Sequence, residues 1–326
     1  MLEEIKAFLG GAWEETDARI RASLRSDIDL LNTTNETLLS HAGKQLRPLI
    51  SLLCARLCSG GRTTQDSILF AAASELLHNA TLLHDDVADS SPKRRGAPTV
   101  RSILGGPASV LIGDFWLVRA MDNILASSRH GDGIVRIFAK TLSDLAEGEM
   151  LQLQKAGTGD TDEEDYYRII YNKTASLFEA AAVSAAVSVD APEERKDAVR
   201  EYAVGLGLAF QIRDDMFDYS DGGAIGKPVG IDLEEQKITL PLLGALSRVS
   251  SGIAGGIRRK VCLVHEHPEY KEEIRAFVLE NGGLEYASGK LEEHVRRAKS
   301  VLGAFPESEE KRYLAKIADF TARREV

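Results

Sequence analysis

The chain has 326 residues, of which 44% are hydrophobic and 28% charged, and this composition indicates a globular protein with a sizeable core. Lys and Arg number 40 against 50 Asp and Glu, and the net charge of −10 argues against nucleic-acid binding and against a polybasic membrane surface. The N-terminal residues lack the order of a signal peptide, and no apolar run is long enough to span a bilayer. Three cysteines, Cys54, Cys58 and Cys262, form no disulfide framework, so we expect buried thiols in a cytoplasmic protein.

Apolar residues recur at three- and four-residue spacing in ten segments, with good helix formers between them. The segments are 47–58, 66–89, 107–127, 133–155, 164–189, 194–219, 237–249, 271–280, 284–302 and 308–322. Alternating β-branched runs are scarce and short polar turns separate the segments, so the sequence predicts no sheet and one all-α domain over residues 1–326. Thr161 and Glu164 resemble a capping box that opens a helix.

The most informative feature is a pair of DDxxD motifs. The first motif is Asp85, Asp86 and Asp89, and the second is Asp214, Asp215 and Asp218. Residues i and i+4 of a helix point the same way, so each motif places two carboxylates on one stripe. One motif alone would more often be an acidic helix end that faces solvent. Two motifs after buried-looking stretches favour cation binding, and Mg²⁺ prefers a few carboxylates plus substrate phosphates.

Basic and polar residues accompany both motifs. They are Lys44, Arg47, His78, Arg94, Arg95, Lys173, Thr174, Gln211, Lys227 and Lys237. Arginine can hold a phosphate through two parallel hydrogen bonds, and lysine acts as a point charge. Simpler explanations exist, because a lone helical cation is usually solvated, His78 alone would more often be structural, and Arg94 and Arg95 could pair with the neighbouring aspartates. The number of residues that agree favours a diphosphate site.

From about Gly43 to Pro241 the chain resembles the trans-type isoprenyl diphosphate synthases, and most of all the long-chain polyprenyl diphosphate synthases. The matching stretches, in the family's order, are GKQLRP, HNATLLHDDVADSSPKRRG, GDFWLVRA, AEGEMLQL, NKTASLF, FQIRDDMFDY and IGKPVGIDLEEQKITLP. Two positions depart from the family pattern. Gln45 stands where the family usually has Arg, which is expected to tune affinity, and Gln236 stands where it usually has Gly, which bears on the flexibility around Lys237.

The resemblance implies the isoprenoid synthase type I fold, a helical bundle around a deep central cavity with the two motifs on opposite walls, usually in a homodimer. It implies that Asp85, Asp89 and Asp214 are the main Mg²⁺ ligands, with about three ions in each active site, and that Asp86, Asp215 and Asp218 assist. It assigns the allylic diphosphate to Arg94, Lys173, Thr174, Gln211 and Lys227. It assigns isopentenyl diphosphate to Lys44, Arg47, His78 and Arg95, with Lys237 as a further substrate-binding residue. The expected catalytic residues are Asp85, Asp89, Arg94, Lys173, Asp214 and Lys227.

The implied reaction is the head-to-tail condensation of isopentenyl diphosphate with farnesyl or geranyl diphosphate. The allylic C–O bond breaks, the double bond of isopentenyl diphosphate attacks the cation, and the released pyrophosphate takes a proton. Closure of residues 221–237 is expected to exclude water, which would trap the cation. A peripheral membrane contact would let a long product leave into lipid.

Product length is expected to depend on the residues that precede the first motif. Short-chain members of the family usually carry aromatic residues four to five positions before it, where this chain has Thr81 and Ala80, with Leu77 and Ser74 further down the stripe. Phe70 is the nearest preceding aromatic residue, roughly 22 Å along a helix from Asp85. The sequence therefore predicts a product of about six to nine isoprene units, as in quinone side chains, with a farnesyl or geranylgeranyl diphosphate synthase as the alternative.

Two other functions fit parts of the pattern. A class I terpene cyclase also uses DDxxD with Mg²⁺, but its second metal motif usually mixes Asn, Ser or Thr with Glu, and it has no need of a second diphosphate site. A non-catalytic subunit of a heteromeric synthase typically lacks one or both aspartate motifs, whereas this chain has both.

Overall fold

The computed structural model describes residues 1–219 and 230–323, and helices dominate this part of the chain. The α-helices are α1 (Leu2–Leu9), α2 (Gly11–Ser23), α3 (Asp29–Ser40), α4 (Leu46–Ser59), α5 (Gln65–Ala88), α6 (Val100–Leu104), α7 (Gly106–Leu125), α8 (Gly131–Thr158), α9 (Glu163–Ile170), α10 (Ser176–Ser188), α11 (Glu193–Phe217), α12 (Ile231–Glu234), α13 (Leu240–Leu246), α14 (Ser251–Cys262), α15 (Tyr270–Glu280), α16 (Gly283–Val301) and α17 (Glu309–Arg323). A π-helical turn, Tyr171–Ala175, joins α9 to α10, and a 3₁₀ turn, Leu302–Ala304, follows α16. The predicted all-α class is confirmed.

The ten predicted segments are all helical, with ends that shift by a few residues, but segment 164–189 is divided into α9 and α10 by the π-helical turn. The sequence analysis missed six helices, α1, α2, α3, α6, α12 and α14, because they bury too few apolar residues for a clear period. For example, α2 buries only Thr16 and Ile20. The prediction of no sheet was wrong in one detail, since β1 (Lys93–Arg94) and β2 (Ala97–Pro98) form a two-stranded antiparallel hairpin.

The predicted capping box is displaced by one residue. The N-cap of α9 is Asp162, which accepts the backbone N–H of Asp165 at 2.8 Å, and the side chain of Asp165 accepts the N–H of Asp162 at 3.2 Å. The prediction from Thr161 and Glu164 was therefore wrong. Aspartate caps a helix as well as threonine does, so the local pattern permits both registers.

The chain divides into two compact units. Unit 1 comprises Met1–Ala139, Ala180–Arg200 and Ala304–Leu314, and unit 2 comprises Lys140–Glu179, Glu201–Gly303 and Ala315–Val326. In unit 1, α5 packs against α7, α4 and α2. In unit 2, α13 is buried along its whole length and packs against α16, α15 and α9. A single domain over residues 1–326 stays a prediction.

Two further expectations from the sequence concern the burial of the cysteines and the presence of membrane-spanning helices. Cys54 and Cys58 are buried, as expected, and burial raises the pKa of the Cys58 thiol to about 12, whereas Cys262 is partly exposed. Across residues 1–219 and 230–323, none of the helices combines the length and the apolar character needed to cross a membrane.

Candidate active site

The first aspartate motif lies at the C-terminal end of α5. Asp85 is partly exposed, Asp86 is buried, and Asp89 is exposed just beyond the last helical residue. The Nε atom of Arg94 donates to Oδ1 of Asp86 at 2.7 Å. Arg94 therefore pairs with a neighbouring aspartate, which was one of the two readings left open by the sequence. A guanidinium has five N–H donors in a fork, so this single Nε contact is compatible with phosphate binding by the terminal amino groups.

The β1–β2 hairpin sets the positions of Arg94 and Arg95. Arg94 pairs with Ala97 across the hairpin, and the two residues between them, Arg95 and Gly96, have φ angles of 52° and 79°. Positive φ at both central residues is the geometry of a type I′ turn, which suits the twist of a two-residue hairpin. The hydroxyl of Thr99 donates to the Ser91 carbonyl at 2.8 Å and ties the base of the hairpin to the end of the motif.

Arg95 lies directly on the backbone of the GKQLRP element. Its Nη1 atom donates to the His41 carbonyl at 3.3 Å. A Cβ atom built on Gly43 would lie 2.5 Å from Cζ of Arg95, so the guanidinium occupies space that only glycine leaves open. The glycine of this element is therefore required for the observed position of Arg95.

Lys44 and Arg95 line an open pocket of about 510 Å³ in unit 1. The other lining residues are Leu2, Glu3, Lys6, His41, Ala42 and Gly43. The sequence analysis assigned isopentenyl diphosphate to Lys44 and Arg95 but did not consider Lys6, because nothing in the N-terminal helix resembles a motif. The pocket thus brings two predicted substrate residues together with a third cation.

A group of buried charges lies where α4 begins and along α5. Arg47 and Glu75 are both buried, and His78 lies one turn of α5 beyond Glu75. Burial lowers the pKa of Arg47 to about 10, with Glu75 opposing that shift. Burial, Arg47 and Arg95 lower the pKa of His78 well below its usual value, so the imidazole is neutral near pH 7. His78 can therefore give a phosphate a hydrogen bond but no positive charge.

Glu75 is a candidate functional residue that the sequence analysis missed. The Nδ2 atom of Asn79 donates to Oε1 of Glu75 at 3.1 Å, while Oε2 has no hydrogen-bond partner within the described ranges. Burial raises the pKa of Glu75, and Arg47 is the strongest opposing influence. A glutamate inside the apolar run AAASELLHNA was the available signal, since buried carboxylates are rare unless they are paired.

The helix that carries the first motif is braced by α7. The Nε2 atom of His84 lies 3.3 Å from Oδ1 of Asp114, and a Cβ atom on Gly113 would lie 2.4 Å from the same nitrogen. Ser109 donates to the Leu83 carbonyl at 2.8 Å. The GDFWLVRA element therefore fixes the residue that immediately precedes Asp85.

The predicted chain-length residues lie along α5. Ser74, Leu77 and Ala80 are buried, and Thr81 is partly exposed. The contact of α5 with α7 is close at this level, because a Cβ atom on Gly113 would lie 3.3 Å from the Ala80 carbonyl oxygen. The control of chain length by these four residues stays a prediction.

The second aspartate motif lies at the C-terminal end of α11, and its middle residue is held by two side chains. Gln211 donates to Oδ1 of Asp215 at 2.8 Å, and the hydroxyl of Tyr166 donates to Oδ2 at 2.6 Å. Thr174 in turn donates to Oε1 of Gln211 at 2.7 Å. Burial raises the pKa of Asp215 to about 6, against these two hydrogen bonds. Hydrogen bonds thus connect the predicted residues Thr174, Gln211 and Asp215. Tyr166 also belongs to this hydrogen-bonded group, and the sequence analysis missed it.

Asp218 is held by backbone groups of the segment that begins at Gly230. Its Oδ1 atom accepts the N–H groups of Gly230 at 3.0 Å and Ile231 at 2.9 Å, and Oδ2 accepts that of Asp232 at 3.0 Å. Asp232 is a further buried acid. Burial raises the pKa of Asp232 well above the usual range, and the nearby carboxylates of Asp215 and Asp218 raise it further, while Lys237 opposes the shift. Asp218 therefore anchors the start of α12.

Lys173 and Thr174 lie on the π-helical turn between α9 and α10. Such turns occur frequently at functional sites. Lys173 Nζ lies 2.5 Å from Oε2 of Glu149 and donates to Oε1 of Gln152 at 3.1 Å, and both partners belong to the AEGEMLQL element of α8. Glu149 and Gln152 were quoted within that element but were given no role.

Two glycines allow neighbouring helices to approach this turn. A Cβ atom on Gly148 of α8 would lie 2.7 Å from Cβ of Asn172, and one on Gly207 of α11 would lie 2.5 Å from Cα of Ala175. The π-turn is therefore packed between two helices at positions where only glycine fits without a shift.

The segment predicted to close over the site, 221–237, is described only from Gly230 onwards. Lys227 and the residues from 221 to 229 lie outside the described residues. Lys237 forms an ion pair with Glu235, directly after α12. Gln236, one of the two departures from the family pattern, has a φ of 56°, and Gln45, the other departure, has a φ of 49° at the N-cap of α4.

Two of the three acids predicted to assist metal binding, Asp86 and Asp215, are buried, whereas Asp218 is partly exposed. Asp85, Asp89 and Asp214 are partly or fully exposed. Asp86, Asp215 and Asp218 each accept hydrogen bonds from protein groups that hold them in place. Within the described ranges, no group of three or more His, Cys, Asp or Glu side chains is already arranged to hold an ion. The oxygen donors nevertheless suit Mg²⁺, which binds through one or two carboxylates and a ligand's phosphates.

Known proteins resemble the chain over nearly its full length. Residues 28–274 match the family described as polyprenyl synthetase. An octaprenyl diphosphate synthase from Haemophilus influenzae is 38% identical over 318 residues, which are 97% of this chain and 95% of that protein. A short chain isoprenyl diphosphate synthase from Methanothermobacter thermautotrophicus is 36% identical over 327 residues, which are 96% of each protein.

A solved structure extends the likeness to the fold. The crystal structure of a polyprenyl synthase from Caulobacter crescentus, complexed with calcium and isoprenyl diphosphate, aligns with a TM-score of 0.90 at 33% identity. The alignment covers 100% of this chain and 98% of that one, so the chain has the isoprenoid synthase type I fold. By its match over residues 28–274 and its near-full-length relatives, the chain belongs to the polyprenyl synthetase family of prenyltransferases.

Proposed function

We propose that the chain condenses isopentenyl diphosphate head to tail with an allylic diphosphate, with Mg²⁺, to give a long-chain trans-polyprenyl diphosphate. The observation that carries this proposal is that the aspartates within each motif have different surroundings. Each motif presents at least one carboxylate to solvent and holds another by hydrogen bonds from Arg94 or from Tyr166 and Gln211. In such an arrangement the hydrogen-bonded aspartates fix the helix ends that carry the proposed metal ligands.

The residues of unit 2 are proposed to bind the allylic diphosphate. Lys173 and Thr174 supply a cation and a hydroxyl on the π-turn, and the chain Thr174–Gln211–Asp215 orients the helix that carries Asp214. Mg²⁺ bound at Asp214, and at Asp85 and Asp89 of unit 1, would stabilise the charge that grows on the leaving pyrophosphate. The fixed positive charges of lysine and arginine side chains would serve the same purpose. That both motifs and Lys227 act on one diphosphate stays a prediction from the sequence.

The residues of unit 1 are proposed to bind isopentenyl diphosphate. Lys44 and Arg95 line the pocket beside the GKQLRP element, and buried Arg47 adds a further cation at the start of α4. His78, held neutral, would orient a phosphate oxygen by a hydrogen bond. In this scheme no protein nucleophile is used, and the released pyrophosphate takes the proton that the new allylic product must lose.

The product is proposed to contain about six to nine isoprene units, because aromatic side chains are absent from α5 between Phe70 and Asp85, a span of roughly 22 Å. The Haemophilus influenzae octaprenyl diphosphate synthase supports this range. The farnesyl or geranylgeranyl alternative is kept because a short chain synthase of this family has 36% identity. Farnesyl or geranyl diphosphate is the proposed primer.

A homodimer is proposed from the surface of α7. Leu111, Val118 and Leu125 recur every seven residues on this helix and are 68%, 56% and 59% exposed. The opposite face, with Ile112, Trp116 and Ala120, is buried. A seven-residue apolar stripe on an amphipathic helix is typical of a helix that packs against another helix, and a second copy of the chain would supply one. A cytoplasmic location is proposed from the absence of a disulfide framework, and a peripheral membrane contact for product release is proposed from the chemistry of the product.

Product analysis tests the function. The purified chain is incubated with Mg²⁺, radiolabelled isopentenyl diphosphate and farnesyl diphosphate, and the dephosphorylated alcohols are separated by length. We expect one dominant alcohol of about six to nine units, lost with excess chelator and in Asp214→Asn, but retained in Asp197→Asn, a control on an exposed part of the same helix. A product of three or four units would refute the length. Cyclic hydrocarbons from the allylic diphosphate alone would indicate a cyclase, and no elongation would indicate a silent subunit.

A further inference from the structure

Gln236 is one of the two positions that depart from the family pattern. Helix α12 ends in a Schellman turn, in which the N–H of Gln236 donates to the Leu233 carbonyl at 3.1 Å and the N–H of Lys237 donates to the Asp232 carbonyl at 2.7 Å. The residue at the centre of this turn takes a left-handed conformation, and the φ of Gln236 is 56°. Glycine is favoured there because it has no Cβ, so a glutamine at this position needs a compensating contact.

The compensating contact is made by the side chain. The Nε2 atom of Gln236 donates to the backbone carbonyl of Cys262 at 2.6 Å. Cys262 is the last residue of α14, and the final carbonyls of a helix have no partner within that helix. The backbone of Gln236 therefore ends one helix while its side chain caps another. A glycine could make the turn but could not make this bond.

The bond between Gln236 and Cys262, called the clamp below, holds the C-terminal end of α12. The N-terminal end of this short helix is held as well. Asp218 accepts the first three N–H groups of the segment, from Gly230 to Asp232, so α12 is fixed to α11 at its start and to α14 at its finish. The end of α14 is itself held, because Arg258 donates to the Gly159 carbonyl at 2.9 Å. Lys237 directly follows the clamped residue, so the direction in which its chain leaves the turn depends on both anchors.

We propose that Gln236 is a positioning residue for Lys237, and that its bond to Cys262 fixes this lysine toward the diphosphate of the allylic substrate. The proposal rests on the proposed function, in which Lys237 binds substrate. It assigns the lysine to the allylic diphosphate because Lys237 and the Thr174–Gln211–Asp215 chain belong to the same unit. The departure from glycine then replaces a pliable turn with a fixed one.

The test uses Gln236→Gly, which suits the left-handed backbone of the turn and removes the side chain that bonds to Cys262. We expect the Michaelis constant for farnesyl diphosphate to rise roughly 3- to 10-fold, as for the loss of one hydrogen bond, with little change for isopentenyl diphosphate or in the melting temperature. In a Lys237→Ala background, Gln236→Gly should cause no further loss, since the lysine it positions is gone. Equal losses in both backgrounds, or equal effects on the two substrates, would overturn the proposal.

Hydrogen exchange provides a second measurement that does not depend on turnover. Without substrates, Gln236→Gly should speed exchange of the Lys237 amide at least several-fold, while amides of α5 remain unchanged as the internal control. Unchanged exchange at Lys237 would refute the clamp even in an active enzyme. If the wild-type chain forms no prenyl product, the proposed function fails, whereas the exchange result still decides whether Gln236 fixes this segment.

Discussion

Replacing Gly43 with alanine should move Arg95 without changing the charge of the protein. The added Cβ would lie 2.5 Å from Cζ, 2.6 Å from Nη2 and 2.9 Å from Nε of Arg95, which are impossible contacts. The arginine is the far end of a flexible side chain on an exposed turn, so it can swing away at little cost in stability. Gly43 does not have a positive φ, so alanine fits the local backbone.

The expected change in the Michaelis constant follows from the proposed contact between Arg95 and isopentenyl diphosphate. A hydrogen bond between charged groups contributes about 1.5–3 kcal/mol, so the loss of the Arg95 contact should raise the Michaelis constant for isopentenyl diphosphate roughly 10- to 150-fold. The constant for the allylic substrate should change less than about 3-fold, because that substrate is assigned to other residues. Steady-state rates with varied isopentenyl diphosphate and saturating farnesyl diphosphate measure the effect.

Two controls make the result decisive. Gly133→Ala adds a methyl group on α8 where nothing lies within 4 Å, and it should leave both constants unchanged. Arg95→Ala should match the defect of Gly43→Ala, and the double variant should be no worse than either, because both remove the same contact. If Gly43→Ala lowered turnover and left the constant for isopentenyl diphosphate unchanged, the assignment of Arg95 to that substrate would be wrong.

Three further predictions concern other parts of the chain. Ala80→Phe should shorten the dominant product with little change in the rate of the first condensation, and an unchanged product would refute the role of α5 in length control. Leu111→Asp should convert a dimer to a monomer in sedimentation, whereas Asp132→Asn at an exposed position of α8 should not. Burial raises the pKa of Glu75, so the stability that its protonated form provides is complete below the ordinary pKa and is lost as pH rises through the raised value. Glu75→Gln should therefore flatten the dependence of the free energy of unfolding on pH over that range, measured by urea titration, and a slope equal to that of the wild type would refute this account.

The long helices and both aspartate motifs could be predicted because their signals are periodic or contiguous. The ten segments have apolar residues at regular spacing, and DDxxD is visible as a string of letters. The missed residues have no such signal. Tyr166 and Glu149 reach their partners, Asp215 and Lys173, across 49 and 24 positions of the chain, and only the packing of helices brings these pairs together.

Backbone conformation was a second limit on prediction. Gln236 and Gln45 have ordinary helix-forming side chains, so the sequence gives no reason to expect φ angles of 56° and 49°. The sequence analysis noticed Gln236 only as a departure from glycine and associated it with flexibility. The structure shows what the glutamine adds, a side-chain bond to the Cys262 carbonyl that glycine lacks.

Helix geometry explains how one short motif can carry two functions. Residues four apart share a stripe, whereas adjacent residues point about 100° apart around the axis, so in Asp85-Asp86 the first carboxylate is partly exposed while the second is buried against Arg94. In the second motif the same rotation leaves Asp214 partly exposed and turns Asp215 to Tyr166 and Gln211.

The two motifs differ at their last aspartate, and this difference makes them unequal. Asp89 lies exposed beyond the end of α5, but Asp218 is occupied by three backbone N–H groups at the start of α12. The last aspartate of the second motif therefore holds the start of α12, whereas the last aspartate of the first motif lies at an exposed helix end. Asp218→Asn keeps an oxygen that can accept some of these N–H groups, so it should loosen α12 more than it weakens metal binding, whereas Asp89→Asn should do the reverse. A chelator titration of both variants, alongside hydrogen exchange of residues 230–237, would separate the two roles, and equal metal sensitivity would show that the last aspartate has the same role in both motifs.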